Sequence, residues 1–261
     1  MKDFKERYGP WALVTGASAG IGAEFAKQLA ARRMNLMLVA RRKDRLDQLK
    51  EKLEAQFFIQ VKTITADLAD EKFMEKIRPE IAAVDLGLLI NNAGFANTGE
   101  FLTNHLEKEL ELLYVNCRAP MILGHEIGIR LKQRKSGGII FTSSMVSAAP
   151  MPYWATYSAS KAFDLFLAEA MHWELKDSGV DVLALCPGGT NTEFQQVANI
   201  HLPGMSVKHV VQLALERLGK KSSVIPGVGN RMRYVSLKVL PKFISARAIL
   251  QVMKRLAKSE V

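Results

Sequence analysis

Short apolar runs alternate with longer amphipathic stretches along most of this chain, and this alternation limits the possible folds more than any other feature. Parallel strands covered on both faces are apolar almost throughout, whereas the helices that connect them bury only one face. The pattern therefore predicts an α/β fold of the Rossmann type, a doubly wound parallel sheet with helices on both faces. We expect strands at 11–15, 36–40, 60–64, 86–90, 139–142, 180–185 and 223–225, and helices at 21–33, 43–56, 106–133 and 155–176.

Size and composition fit a single domain with one large core. The chain has 261 residues, of which 48% are hydrophobic and 24% charged, and no repeat or linker divides it. Its first ten residues carry charges without an apolar run, unlike a secretory signal, and no later run is long enough to span a bilayer. Neither Cys117 nor Cys186 has metal or disulfide spacing, and the histidines form no cluster. We therefore expect no metal and a cytoplasmic location.

A glycine-rich turn stands between the first expected strand and the first expected helix. It reads TGASAGIG from Thr15 to Gly22. Such a turn lets the backbone approach a pyrophosphate closely, and the helix N-terminus that follows favours the negative charge. The alternative is a tight strand–helix connection with no ligand. The residues that would hold the cofactor here are Gly16, Ser18, Gly20, Ile21 and Gly22.

Two arginines follow the second expected strand, at the position where NAD-binding folds carry an acid for the ribose hydroxyls. Arg41 and Arg42 stand there, and no acid ends the strand. A guanidinium group can grip a 2′-phosphate with two hydrogen bonds, so this pair favours NADP(H) over NAD(H). The alternative is that both arginines are solvated charges paired with Asp44 or Asp47.

Small and polar residues also end the third and fourth expected strands. Asp67 and Leu68 follow the third strand and could fix an adenine ring, and Asn92, Ala93 and Gly94 follow the fourth. Each group alone is compatible with an ordinary turn. Together they stand at the carboxyl ends of successive strands, where open α/β sheets bind their ligands.

A tyrosine and a lysine stand one helical turn apart in Tyr157-Ser158-Ala159-Ser160-Lys161. An ammonium group near a phenol favours the phenolate, which would make Tyr157 a usable proton carrier, although this spacing alone is common by chance. Ser144, at the end of the fifth expected strand, could hydrogen-bond a substrate carbonyl. Asn116 interrupts an apolar helical pattern. It is either a satisfied core amide or a helix distortion that holds a water linking Lys161 to solvent.

In this order the motifs resemble those of the short-chain dehydrogenase/reductase family, in its one-domain subgroup. The resemblance extends over residues 11–227, and the intervals from Ser144 to Tyr157 and from Tyr157 to Lys161 match the family pattern. The motifs are TGASAGIG at Thr15, NNAG at Asn91, Asn116, Ser144, YSASK at Tyr157 and PGGTNT at Pro187.

The resemblance implies a strand order of 3-2-1-4-5-6-7 and a catalytic tetrad of Asn116, Ser144, Tyr157 and Lys161. In the family, the tyrosine is the acid for reduction and the base for oxidation. The lysine lowers the pKa of the tyrosine and binds the nicotinamide ribose, while the serine polarises the carbonyl and the asparagine supports a water relay. The chain is thus expected to be an NADP(H)-dependent oxidoreductase that acts on a carbonyl or an alcohol.

The resemblance also implies a binding site for the nicotinamide and an oligomeric state. Pro187 and Gly188 would hold the carboxamide, with Thr190 and Thr192 nearby, and a homo-oligomer, a dimer or a tetramer, is expected. Residues 1–227 would form the cofactor-binding domain, including a substrate lid at about 190–219.

Apolar residues are concentrated near the expected catalytic elements and in the lid. They favour a lipophilic ketone, aldehyde, 3-oxoacyl or steroid-like substrate, although packing of the lid alone explains them equally well. The residues are Met145, Val146, Met151, Tyr153, Trp154, Phe194, Val197, Ile200, Leu202 and Met205.

Residues 228–261 form a basic amphipathic extension. From Pro226 onward the chain carries eight basic residues and one acidic residue, which accounts for most of the net charge of +10. Such a segment suits an anionic membrane surface, and it suits equally a helix that packs on its own domain or on a partner subunit. The alternative function is a catalytically minor adaptor that acts through this extension. No nucleic-acid-binding motif accompanies the charge.

Overall fold

The structure is a computed structural model that describes residues 4–194 and 204–258. Seven parallel strands form one sheet in the order β3-β2-β1-β4-β5-β6-β7, which confirms the expected fold class and strand order. The strands are β1 (Trp11–Thr15), β2 (Asn35–Ala40), β3 (Val61–Thr65), β4 (Leu86–Asn91), β5 (Gly137–Thr142), β6 (Val180–Leu185) and β7 (Ser223–Val224).

Helices cover both faces of the sheet. The described helices are α1 (Phe4–Tyr8), α2 (Gly20–Ala30), α3 (Lys43–Phe57), α4 (Phe73–Ala82), α5 (Leu106–Leu113), α6 (Ala119–Arg134), α7 (Ala155–Leu175), α8 (Val207–Arg217), α9 (Val228–Val239) and α10 (Lys242–Lys258). A π-helical turn, Tyr114–Arg118, joins α5 to α6, and short 3₁₀ turns span Met145–Ala148 and Lys176–Ser178. Within the described residues, no helix is both long enough and apolar enough to cross a membrane.

The core consists of two layers, one on each face of the sheet. Alternate residues of β1 point in opposite directions, so Leu13 joins one layer while Ala12 and Val14 join the other. The first layer contains the buried faces of α4, α6 and α7, and the second contains those of α2, α3 and α8. Because side chains cover both faces, the inner strands are apolar along most of their length, and this is the pattern that predicted them from the sequence.

Three helices of the body were missing from the sequence prediction, namely the short α1 and the longer α4 and α8. In α4, Phe73, Ile77 and Ile81 recur every four residues and are buried, but Pro79 within the helix hid this period. Helix α8 lies inside the range expected for the lid. Its Val210 and Ala214 are fully buried in the second layer beside α2, so α8 belongs to the body of the domain.

The C-terminal extension begins as a packed part of the domain. Helix α9 contacts the Met145–Ala148 turn, and Tyr234 inserts its ring into the first core layer. Pro241 separates α9 from α10. The sequence allowed the extension to contact a membrane, a partner subunit or its own domain. The buried face of α9 packs on its own domain.

Strand order sets the position of any ligand. From β1 the chain proceeds outward to β2 and β3, and it then returns to add β4 on the other side of β1. The connections leaving β1 and β4 therefore diverge and open a crevice at the carboxyl edge of the sheet.

Candidate active site

The glycine-rich turn forms a cradle at the carboxyl end of β1. Gly16 and Gly20 have φ values of +65° and +56°, which favour glycine. A Cβ on Gly22 would collide with the carbonyl oxygen of Gly16, and a Cβ on Gly16 would lie 2.8 Å from the Cα of Ala93. The N-cap of α2 is Ala19, which gives no side-chain hydrogen bond to the first N–H groups. Those N–H groups and the close backbone suit a pyrophosphate.

Thr15 connects the cradle to the loop after β4. Its Oγ1 accepts hydrogen bonds from the backbone N–H groups of Asn92 (2.9 Å) and Ala93 (3.0 Å). The Asn92 side-chain amide in turn donates to the carbonyl of Thr15 at 3.0 Å. The two expected cofactor segments are therefore held together by direct hydrogen bonds across β1 and β4.

Arg42 points toward the cradle. Its Nε and Nη2 donate to the Ser18 hydroxyl at 3.2 Å and 3.0 Å, and its Nη1 lies 3.0 Å from the carboxylate of Glu193. Arg45, which the sequence analysis did not single out, binds the other oxygen of Glu193 at 2.5 Å. These two hydrogen bonds hold the pKa of Glu193 below its usual range. Arg42 and Arg45 thus form a two-guanidinium anion site next to Ser18.

Arg41 has a different environment. Its Nη1 lies 3.3 Å from Glu111 and 3.8 Å from Asp67, so it faces acids rather than the cradle. The proposed alternative pairing with Asp44 or Asp47 is not seen for either arginine, since Asp47 instead pairs with Lys43. Arg42 is therefore better placed than Arg41 to hold a phosphate.

The residues expected near the adenine and the nicotinamide lie along the same edge. After β3, Asp67 accepts a hydrogen bond from the backbone of Ala69 at 2.9 Å, and Leu68 is buried. After β6, the Pro187 carbonyl accepts from the backbone of Met145 at 2.9 Å. Gly188 follows, and its carbonyl accepts from the Thr190 hydroxyl at 3.0 Å. Thr192 would be 3.2 Å from a Cβ on Gly20, so this segment closes over the cradle.

Asn116 lies in the π-helical turn between α5 and α6, so the helix is distorted there, as one of the two interpretations required. Its amide is also fully engaged. Oδ1 accepts from the backbone of Phe95 at 3.1 Å, while Nδ2 donates to the Phe95 carbonyl at 2.9 Å and to the Ser160 hydroxyl at 3.1 Å. Asn116 therefore ties the loop after β4 to α7, and the water relay stays a prediction.

Tyr157 and Lys161 are both buried on α7, one turn apart. Lys161 Nζ donates to the Thr142 carbonyl at the end of β5 (2.9 Å) and to the carboxylate of Asp164 (2.8 Å). Burial raises the pKa of Tyr157, and the nearby Lys161 charge and a hydrogen bond with Ser144 lower it only in part. The net lowering that we expected is therefore absent, although Lys161 and Ser144 act in the expected direction.

Among the described residues, Asp164 is a charged partner of Lys161 that the sequence analysis missed. Burial raises the pKa of Asp164 to about 6, with Lys161 opposing the shift. Burial lowers the pKa of Lys161, but attraction to Asp164 and Tyr157 outweighs it, so the pKa of Lys161 is raised. The three-residue spacing on one helix face was a visible signal for this pair.

An apolar wall stands beside Tyr157. The ring centroids of Trp154 and Phe194 each lie 5.7 Å from that of Tyr157, and Ala96 and Leu112 are buried in the same cluster. Four further side chains pack against this cluster, namely Phe95, Val146, Met151 and Met253. Met253 belongs to α10, so the C-terminal extension contributes to the wall. The expected lid residues Val197, Ile200 and Leu202 lie outside the described residues.

The amino-acid sequence matches the family model for short chain dehydrogenases over residues 10–202. A very-long-chain 3-oxoacyl-CoA reductase from Neurospora crassa is 36% identical over 220 residues, which cover 82% of this chain and 66% of that protein. The chain thus spans slightly less than two thirds of the length of that relative.

Two solved structures are similar over nearly the whole chain. A 7β-hydroxysteroid dehydrogenase has a TM-score of 0.88 at 27% identity and covers 95% of this chain and 99% of its own. A short-chain dehydrogenase from Sphingobium yanoikuyae in complex with NADPH has a TM-score of 0.81 at 35% identity and covers 88% of this chain and 92% of its own.

The cradle geometry gives a direct test. Gly22→Ala places a methyl group against the Gly16 carbonyl, so the turn must shift, and we expect affinity for NADPH to fall roughly tenfold or more, about 1.4 kcal/mol. Titration of the cofactor fluorescence measures the dissociation constant. Gly229→Ala is the matched control, because a Cβ there meets nothing within 4 Å. Unchanged affinity in the Gly22 variant would show that the turn does not bind the cofactor.

Proposed function

Because this chain belongs to the short-chain dehydrogenase family, we propose that it transfers a hydride between NADP(H) and the carbonyl or alcohol carbon of a lipophilic substrate. The observation that carries this proposal is the buried Tyr157–Lys161 pair, which lies at the carboxyl edge of the sheet beside Ser144. A buried phenol next to an ammonium group can exchange its proton with a bound substrate without competition from solvent water.

Each residue of the tetrad has a separate task in this proposal. The nicotinamide, when bound, supplies or accepts the hydride. In the direction of reduction, Tyr157 donates its hydroxyl proton to the carbonyl oxygen and Ser144 orients that oxygen by a hydrogen bond. Lys161 stabilises the phenolate left behind, and Asn116 holds the loop after β4 against α7.

The preference for NADPH rests on the anion site formed by Arg42 and Arg45. A carboxylate, that of Glu193, already accepts hydrogen bonds from both guanidinium groups, and Ser18 adds a hydroxyl. A 2′-phosphate offers the same acceptors with more charge, so it would compete with Glu193 for the arginines. The NADPH complex of the Sphingobium yanoikuyae dehydrogenase supports this choice.

We propose a long-chain 3-oxoacyl thioester as the substrate. The wall beside Tyr157 consists of aromatic, methionine and aliphatic side chains, which suit an acyl chain better than a polyhydroxylated compound. The name of the Neurospora crassa relative, a very-long-chain 3-oxoacyl-CoA reductase, supports this class. A bulky steroid ketone is the comparison compound, because the solved 7β-hydroxysteroid dehydrogenase has a similar fold.

The outer surface of α9 and α10 has the composition of a membrane-contacting surface. Apolar side chains are exposed next to basic ones, and we propose that this surface binds an anionic membrane, from which a lipophilic substrate would reach the wall. The exposed apolar residues include Met232, Val235, Val239, Leu240, Phe243 and Ile244, and the exposed basic residues include Arg231, Arg233, Lys238, Lys242 and Arg247. The cytoplasmic location and the homo-oligomer stay predictions.

Removal of the Tyr157 hydroxyl tests the catalytic proposal. We expect Tyr157→Phe to lower kcat for 3-oxoacyl reduction by roughly 10² to 10⁴, because the proton donor is lost, with the NADPH dissociation constant nearly unchanged. NADPH oxidation measures the rate. Tyr114→Phe is the control, since that ring is partly exposed and stacks under Arg118, as a phenylalanine also can. Full activity of the Tyr157 variant would refute the assigned role.

Removal of the Arg42 guanidinium tests the cofactor preference. Arg42→Ala should weaken NADPH binding about tenfold or more and leave NADH binding unchanged, because only NADPH carries the 2′-phosphate. Glu193→Gln should strengthen NADPH binding, since the competing carboxylate charge is gone. Arg217→Ala, an exposed arginine on α8, is the control. Equal losses for NADPH and NADH in the Arg42 variant would contradict the phosphate site.

Co-sedimentation with lipid vesicles tests the membrane proposal. The protein should bind vesicles of phosphatidylcholine and phosphatidylserine, bind pure phosphatidylcholine less, and be released by salt. Phe243→Asn should reduce binding, because Phe243 is 74% exposed on α10. Phe58→Asn is the control, because Phe58 is 84% exposed and lies far from α10 in the sequence. Its left-handed φ of +54° is also a conformation that asparagine tolerates. Equal binding by the two variants would exclude the α10 surface.

A further inference from the structure

Helix α7 carries a buried carboxylate directly behind the proposed proton carrier. Asp164 is 3% exposed, and its Oδ2 accepts the 2.8 Å hydrogen bond from Lys161 Nζ. Its other oxygen, Oδ1, is buried and has no hydrogen-bond partner among the described residues. A carboxylate with one oxygen unsatisfied is a costly group to bury, and a well-packed apolar side chain would stabilise the fold at least as well. Its presence therefore points to a task other than packing.

Lys161 Nζ donates to two acceptors within the part of the chain that the structure describes, and of these two Asp164 carries a charge. The other acceptor is the backbone carbonyl of Thr142. This carbonyl is an uncharged dipole, and it would remain after any substitution of the Thr142 side chain. A Cβ added to Gly94 would lie 3.3 Å from Lys161 Nζ, so the ammonium group also lies against the loop after β4. Asp164 thus holds the ammonium group together with the Thr142 carbonyl, and it supplies the negative charge that compensates the ammonium charge.

We propose that Asp164 is a positioning residue that anchors the Lys161 ammonium and, through its negative charge, sets the pH range in which the Tyr157–Lys161 pair releases its proton. This inference rests on the proposed function, because it concerns the reaction for which that pair carries the proton.

Of the described titratable neighbours of Asp164, Lys161 is the charged one, and its charge opposes the effect of Asp164 on Tyr157. Among the described residues, the titratable groups that interact electrostatically with it are Lys161 and Tyr157 on α7, Cys117 in the π-helical turn and Cys186 after β6. Burial raises the pKa of each of the two thiols to about 12, so both are neutral at physiological pH. Lys161 and Asp164 are therefore the charged groups that act on Tyr157.

The direction of the effect follows from charge alone. A negative charge makes proton loss harder for any neighbour, and Asp164 raises the pKa of both Tyr157 and Lys161. The pair loses its first proton as a unit, and the form with phenolate and ammonium has the same total charge as the form with phenol and amine. Removal of the carboxylate charge should therefore move proton release by the pair to lower pH, whichever partner holds the remaining proton.

Asp164 can exert this effect only where it is ionised. Burial raises its pKa to about 6, so the carboxylate is charged through the range above neutrality in which alcohol oxidation needs a base. Below about pH 6 the wild-type side chain itself becomes neutral, and wild type and an uncharged variant should then behave alike.

The pH dependence of kcat/KM for alcohol oxidation by the full-length protein tests the proposal. The substrate is the 3-hydroxyacyl thioester that corresponds to the tested 3-oxoacyl compound, with NADP⁺ as the acceptor. We expect Asp164→Asn, which keeps the shape of the side chain, to shift the midpoint of the profile down by about 1 to 2 pH units. At one pH unit below the wild-type midpoint, we express kcat/KM as a fraction of each protein's own plateau. This fraction should be severalfold larger for the Asp164→Asn variant than for wild type.

Three further variants separate this role from a structural one. Asp164→Glu retains the charge and should return the midpoint close to that of wild type. Asp164→Ser removes the charge without adding volume and serves if the asparagine variant does not fold, as judged by circular dichroism. Glu174→Gln, an exposed acid on α7, should leave the midpoint unchanged. A midpoint that stays in place or rises in the folded Asn or Ser variant would overturn the proposal, even if the plateau falls.

The Tyr157→Phe variant, measured in the same series, distinguishes the two levels of inference. If it is inactive while the Asp164 variants leave the midpoint unmoved, the Asp164 proposal fails and the proposed function stands. If it keeps the activity of wild type, the proposed function fails, and the proposal about Asp164 fails with it.

Discussion

The site depends on the burial of one ammonium group at the carboxyl edge of the sheet. Lys161 is 5% exposed, and such a charge is tolerable only where acceptors surround it. The acceptors come from two elements, the last carbonyl of β5 at Thr142 and the carboxylate of Asp164 on α7 itself. Because β5 is an inner strand and α7 packs along β6, the sheet determines where these two acceptors lie, and Tyr157 lies one turn away from the charge that they hold.

The same edge explains why the other motifs converge. Thr15 ends β1, and its hydroxyl holds the backbone of the loop that follows β4, so the cradle and this loop share one set of hydrogen bonds. Asn116 extends this connection to α7 through Phe95 and Ser160. Motifs separated by more than a hundred residues therefore form one continuous hydrogen-bonded surface, and the parallel order of the strands is what brings them to the same side.

The sequence predicted most of this surface, because its signals are local. Strand β6 is apolar except for Asp181 and follows the left-handed Gly179, so residues 180–185 were predicted without error. The glycine turn and the Tyr157–Lys161 spacing are also local. Arg45 and Glu193 were missed because their contact joins residues 148 apart, which only the folded chain brings together. For Asp164 the spacing was visible, but its burial, which gives the carboxylate its effect, was not.

The C-terminal extension shows the limit of composition as evidence. Its charge and amphipathicity were compatible with a membrane, a partner or the domain itself, and the structure divides it between inside and outside. Tyr234 of α9 is a core residue and Met253 of α10 packs against the wall beside Tyr157, while Phe243 faces outward. In the same wall, Phe194 contacts Tyr157, and its neighbour Glu193 binds Arg42 and Arg45. The adjacent residues Glu193 and Phe194 therefore connect the proposed phosphate site to the wall. A change in either site acts on this same two-residue segment.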